Sequence, residues 1–130
     1  MNWLNRFTCT PGQLGGMIQT LHRANTPPII DYIQEKPGYG NYEELKDKIT
    51  KYPGNHFAVK LSSFGVRTSQ NRCLDQVEAL IERAKQNGSV VYIDAEQHDI
   101  QDRISALTDY FMETYNQDKV VVYKTYQMYK

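Results

Sequence analysis

Cysteine is scarce in this chain. Cys9 and Cys73 stand far apart with no CxxC spacing, which excludes a disulfide framework and a cysteine zinc site and fits a reducing compartment. Neither sign of charge is in excess, with 15 Lys+Arg against 15 Asp+Glu, so neither a basic nucleic-acid surface nor an acidic tail is indicated. No stretch approaches the roughly 20 apolar residues of a membrane-spanning helix. The opening MNWLNRFTC has neither the apolar run of a signal peptide nor the basic periodicity of a transit peptide. These absences predict a soluble, intracellular protein with no nucleic-acid partner. His22, His56 and His98 are dispersed, with no HxxxH or His–carboxylate spacing, so no metal centre is expected. Gly15-Gly16 lies inside a helical pattern and follows no strand, which excludes a dinucleotide fingerprint there.

What is present is a globular balance: 40% hydrophobic and 23% charged residues in a chain of 130. That length suits one domain, residues 1–130, with a core of its own. Ten tyrosines are the unusual feature. Each carries a large ring with a polar tip and suits half-buried strand and pocket positions. Those at 123, 126 and 129 read as core and interface residues.

The local signals alternate. Thr10-Pro11-Gly12-Gln13 carries a helix start, with Pro at the first helical position and Gln13 placed to reach back to Thr10. Leu14, Met17, Ile18 and Leu21 form its apolar stripe, and Asn25 with Pro27-Pro28 closes it. Residues 29–35, IIDYIQE, predict a first strand. Asn41 and Glu44 open a second helix with Leu45 and Ile49 inward, stopped by Pro53-Gly54-Asn55. Residues 57–64, FAVKLSSF, predict the second strand. Leu74, Val77, Leu80 or Ile81, and Ala84 mark a third helix ending at Asn87-Gly88. Residues 89–96, SVVYIDAE, predict the third strand. Ile100, Ile104, Leu107 and Phe111 mark a fourth helix, with Asp99 as its expected N-cap, and residues 119–126, KVVVYKTY, predict the fourth strand.

An N-terminal helix followed by β-α-β-α-β-α-β, with each strand roughly 30 residues after the last, predicts a parallel α/β sheet built from βαβ units. In such folds sites lie at the C-terminal ends of the strands, and polar residues collect there. Asp31 and Glu35 stand on the first strand, Lys60 with Ser62 and Ser63 on the second, Asp94 and Glu96 on the third, and Lys124, Thr125 and Gln127 on the fourth. Alternation along a strand puts Asp94 and Glu96 on one face. A lysine between Val59 and Leu61 needs a partner or a purpose. From placement alone, these groups either pair with one another or line a site. A hard cation on Asp94 and Glu96 is a further option.

The segments FAVKLSSFG, VVYIDAEQ, IQDRISALTDYF and YNQDKVVVYKTYQMYK, in that order, resemble the proline dehydrogenase family, and IIDYIQE resembles its first barrel strand. The likeness covers roughly residues 10–130, and DAEQ followed by TYQMY is most similar to the eukaryotic branch. The resemblance implies a distorted (β/α)8 barrel that holds FAD without a covalent bond. It further implies transfer of a hydride from L-proline to the flavin, giving pyrroline-5-carboxylate, with electrons passed to a membrane quinone; in eukaryotes the compartment is the mitochondrion. Carried onto this chain, Lys60 pairs with the substrate carboxylate and Asp94 sits beside substrate and flavin. Gln127 hydrogen-bonds the isoalloxazine, Glu35 ion-pairs with arginines of the last barrel helix, and Glu96 has a supporting role.

A whole (β/α)8 barrel takes about 250 residues. The expected fold is therefore a partial barrel of four parallel strands alternating with helices, without the strands and final arginine helix that complete the family's site. The chain is expected to be inactive alone. It would be a truncated copy, one half of a split enzyme, or a non-catalytic interaction or regulatory domain. An open half-barrel has two sheet edges, which predicts self-association or pairing with a complementary half.

Overall fold

The computed structural model describes residues 9–31 and 42–127. The first turn forms as the sequence predicts: Pro11–Gln13 is a 3-10 turn, and the Thr10 N–H donates to Gln13 Oε1 at 3.1 Å. Helix α1 (Leu14–Arg23) continues from it and buries Ile18. It ends in a Schellman arrangement, in which the N–H groups of Thr26 and Asn25 bond the carbonyls of Leu21 and His22 at 2.9 and 3.0 Å. Asn25 takes the left-handed conformation this requires, with φ 59°.

Four strands follow: β1 (Ile29–Asp31), β2 (His56–Val59), β3 (Val90–Ile93) and β4 (Val122–Lys124). Between them run α2 (Tyr42–Lys51), α3 (Gln70–Gln86) and α4 (His98–Tyr115). The strands pair in parallel in the order β1-β2-β3-β4, with Ile30 opposite Phe57, Phe57 opposite Val91, and Val91 opposite Val122. Sequence order and spatial order therefore agree, with no reversal. Right-handed crossovers in one direction put every connecting helix on the same side of the sheet. This is the winding of a (β/α)8 barrel and not of a doubly wound sheet, whose order reverses at a switch point.

Burial follows that geometry. Phe57, Val59, Val91, Ile93 and Val122 form the covered face, packed on Leu45 and Ile49 of α2, Val77, Leu80, Ile81 and Ala84 of α3, and Ile104 and Phe111 of α4. His56, Ala58, Val90, Tyr92 and Tyr123 alternate onto the opposite face, the lumen side of a barrel. Asn116 fixes the start of β4: its Oδ1 accepts the N–H groups of Val121 and Val122 at 2.8 and 2.9 Å, and its Nδ2 donates to the Val122 carbonyl at 2.8 Å.

The structure corrects several expected boundaries. β2 ends at Val59, and Leu61–Phe64 coils into a 3-10 turn. The reason is a change of period: Leu61 and Phe64, three apart, are both buried, which one face of a strand cannot achieve. Gly65 then takes φ 84°, turning the chain toward α3. β3 likewise ends at Ile93, before the acids. α4 begins at His98, so Gln97, not Asp99, occupies its N-cap, and Asp99 stands in the first turn, engaged by Arg67 at 2.6 Å. Tyr123 and Tyr126 are 42% and 71% exposed and so are not core residues. Tyr129, Asn41 and most of the segment 29–35 lie outside the described residues.

Phe111 is the largest fully buried side chain of α4. Phe111→Ala is expected to cost about 3–5 kcal/mol. Tyr110→Ala, at a neighbouring exposed position, should stay within about 1 kcal/mol. Urea unfolding of the two variants checks the contrast.

Candidate functional site

Parallel strands bring their C-terminal ends to one rim. In register, Asp31, Ala58, Tyr92 and Tyr123 form one row across the lumen face. Two residues further along each strand, Lys60, Asp94 and Thr125 stand above that row, with Gln127 beyond. The ladder extends to this level: the Asp94 N–H donates to the Val59 carbonyl at 2.9 Å, and the Thr125 N–H to the Ile93 carbonyl at 3.2 Å. Of the sequence-predicted site residues, the fold thus gathers Lys60, Asp94, Glu96 and Gln127. Glu35 lies outside the described residues.

Asp94 is the electrostatic centre. Its partial burial pushes its carboxyl above the usual aspartate range; the carboxylates of Asp31 and Glu96 push the same way, while Lys60 pulls it down. Asp94 thus feels all three neighbouring charges. Among the described residues no ion pair within 4 Å joins Lys60 to any of the three acids. Lys60 is exposed at the rim, with its charge available to a ligand.

Glu96 does something else. With β3 ended at Ile93, alternation no longer governs it, and it crosses to the loop after β2. Its Oε2 accepts the Ser62 N–H at 3.1 Å, and its Oε1 accepts the Ser62 hydroxyl. The backbone N–H of Glu96 donates to Gln101 Oε1 at 2.7 Å. On the other side, the Ala95 N–H donates to Thr125 Oγ at 2.6 Å, and that hydroxyl donates to the Ile93 carbonyl at 2.9 Å. The loop after β3 is thus tied to both neighbouring strand ends.

Outer bonds reinforce the rim. Arg67 donates to Asp99 Oδ2 at 2.6 Å and to Gln97 Oε1 at 2.8 Å, and Arg103 donates to the Val66 carbonyl at 3.1 Å. The Arg67 hydrogen bond holds the Asp99 carboxyl below its usual range. Cys73 is buried beneath the 3-10 turn; burial first, and then the charge of Glu96, push its thiol up to about 11. It is a protonated packing residue and not a nucleophile.

Gln127 is half-buried, and its Oε1 is buried without a hydrogen-bond partner among the described residues. A buried amide oxygen without a donor is costly in a finished interior. Such an acceptor is fitted to receive an N–H from a ligand. Lys124 is not part of the site: it lies on the covered face, opposite Ile93, and pairs with Asp109 at 2.9 Å.

Below the rim, His56 Nδ1 and the Tyr92 hydroxyl lie 2.9 Å apart, and the Tyr92 ring stacks on Tyr123 at 5.0 Å between centroids and 14° between planes. This aromatic row floors the lumen face and was not legible in the sequence, where His56 stands alone without any metal-ligand spacing. The one available signal was two tyrosines, Tyr92 and Tyr123, each in the middle of a predicted strand. Among the described residues no group of three or more His, Cys, Asp or Glu side chains is arranged to hold a metal ion, and no helix is long and apolar enough to cross a membrane.

Because the fold raises the affinity of Asp94 for its proton, the stability linked to that group is full below the ordinary aspartate range and falls as pH rises through the raised value. Asp94→Asn, which cannot ionise, should therefore melt at a higher temperature than the parent chain at neutral pH. The gap should close below about pH 4, where the parent's carboxyl is protonated. Equal melting temperatures at both pH values would contradict this electrostatic picture.

The comparisons with known proteins agree with this geometry. The family model described as proline dehydrogenase matches residues 13–130. No curated protein matches the chain.

Proposed function

The chain belongs to the proline dehydrogenase family, and from that premise we propose that the rim carrying Lys60, Asp94 and Gln127 binds L-proline and FAD for oxidation of the ring to pyrroline-5-carboxylate. The observation that carries this reading is the gathering of one cation, one carboxyl of raised pKa and one unpartnered buried amide oxygen at the ends of three adjacent strands.

FAD fits these residues in chemistry. Gln127 would hold the isoalloxazine through the amide, which donates and accepts, and the aromatic row of Tyr92 and Tyr123 would lie beneath. When bound, FAD supplies the two-electron acceptor that no side chain can provide. The chain's own groups bind and orient. Lys60 pairs with the substrate carboxylate through a charge-assisted hydrogen bond. Asp94 hydrogen-bonds the substrate's ring nitrogen and takes its proton, leaving the neutral amine, from which the adjacent ring carbon is more readily oxidised. Its raised pKa makes it a better proton acceptor than an ordinary aspartate. Glu35, by resemblance, would pair with arginines from a further helix.

In this reading the four described strands form one wall of the site, and further strands beside β1 and β4 supply the opposite wall. Two features support it. Among the described residues, β1 and β4 each have a strand neighbour on one side alone. Apolar side chains stand exposed at both edges, with Ile29 at 54% and Tyr123 at 42%. The competing reading, a non-catalytic interaction domain, rests on the same exposed edges and differs in binding no flavin.

Purifying the protein with added FAD, together with any complementary half, separates the two. Retained flavin absorbance that bleaches on anaerobic addition of L-proline is expected; a colourless protein at saturating FAD would refute the catalytic reading. In the flavin-loaded protein, Lys60→Met should raise KM for L-proline about 10- to 100-fold through loss of one charged hydrogen bond, with a smaller effect on kcat. Gln127→Leu should instead lower flavin retention.

A further inference from the structure

Lys60 and Asp94 must stand at a fixed spacing if one is to hold a carboxylate and the other a ring nitrogen of the same small molecule. Neither is held there by the other, since no ion pair joins them. Both lie beyond the last residue of their strands, Val59 and Ile93, where the regular ladder thins out. What ties the two loops together is one carboxylate. Glu96, two residues after Asp94, accepts both the backbone N–H and the hydroxyl of Ser62, two residues after Lys60.

Resting on the functional reading above, we propose that Ser62 and Glu96 are a positioning clamp that sets the spacing of Lys60 and Asp94 and thereby controls recognition of the amino-acid carboxylate. Three observations carry it. Both oxygens of Glu96 are used, each on one donor of a single residue, so the bond fixes direction as well as distance. The Glu96 backbone is itself held by Gln101 of α4, so the clamp is anchored to a rigid element and not to a free loop. And Ser62 lies in a 3-10 turn whose apolar residues, Leu61 and Phe64, are buried. The turn transmits the clamp to Lys60, whose carbonyl accepts the Ser63 N–H at 3.0 Å. Lys60 and Asp94 would touch the substrate; Ser62 and Glu96 would not.

Removing the clamp should therefore loosen two loops together and weaken substrate binding, while leaving flavin retention, which depends on the Thr125–Gln127 side, unchanged. The first measurement needs no activity. Amide hydrogen exchange is compared between the parent protein and Glu96→Gln and Ser62→Ala variants. Faster exchange is expected over residues 60–63 and 94–96 alike, with the β2 amides of Phe57–Val59 unchanged. Exchange at parental rates in both loops overturns the clamp, whatever the protein catalyses.

The second measurement is kinetic, on the flavin-loaded protein. KM for L-proline should rise about ten-fold in Ser62→Ala and in Glu96→Gln, with kcat within about two-fold. The double variant should be no worse than either single one, as for two members of one interaction. Ser62→Thr, which keeps the hydroxyl, should restore the parental KM. Unchanged KM, a loss confined to kcat, additive effects, or no rescue by threonine would each overturn the positioning role. A parent protein that retains no flavin refutes the oxidation reading instead, and the exchange result still decides whether the clamp exists.

Discussion

Three consecutive residues hold the site rim together: Asp94, Ala95 and Glu96. Each reaches a different neighbour. The Asp94 N–H continues the ladder to Val59, the Ala95 N–H binds Thr125 Oγ, and the Glu96 carboxylate binds Ser62. The third strand thus bonds both flanking strand ends just where regular pairing stops. Lys60 and Gln127, the groups on either side, inherit their places from those bonds. The covered face supplies the stability beneath, with Phe57, Ile93 and Phe111 fully or almost fully buried, and the rim residues are free to serve chemistry.

That freedom has a thermodynamic sign. A half-buried carboxyl beside two other acids is destabilising when ionised, and burial with the charges of Asp31 and Glu96 raises the affinity of Asp94 for its proton. An amide oxygen buried without a donor at Gln127 is unfavourable for the same reason. Elsewhere Asn55 bonds His22 and two carbonyls, and the Asn116 side chain makes three bonds to the start of β4, while Gln76 Oε1 on α3 is a second buried oxygen without a partner among the described residues. Asp94 and Gln127 both lie at strand ends, as expected of a binding rim.

The architecture was legible because it rests on long-range periodicity. The apolar spacing of α4, the capping signals before α1 and the recurrence of strands at even intervals survive any local ambiguity. The strand ends did not. Leu61-Ser62-Ser63-Phe64 reads as strand by composition, yet its burial has a period of three, and only the packing of Leu61 and Phe64 against α3 decides between the two. For that reason Ser62 was visible as a polar residue at a strand end but not as the partner of Glu96. Lys124 misled in the opposite way: its position on the fourth strand suggested the rim, whereas register puts it on the covered face with Asp109. Lys60, Asp94 and Gln127 were legible mainly through the family resemblance, because spacing alone cannot tell a charge that binds a ligand from one that pairs with its neighbour.

The proposal with most at stake is that this rim receives flavin and proline. Amide chemical-shift mapping of isotope-labelled protein, titrated with FAD and then with L-proline, tests it directly. The account requires shifts concentrated at Lys60, the 94–96 loop and Thr125 to Gln127, with the opposite ends of the strands, at Asn55 and Ser89, unmoved. Shifts at those opposite ends, or none at saturating ligand, would contradict it.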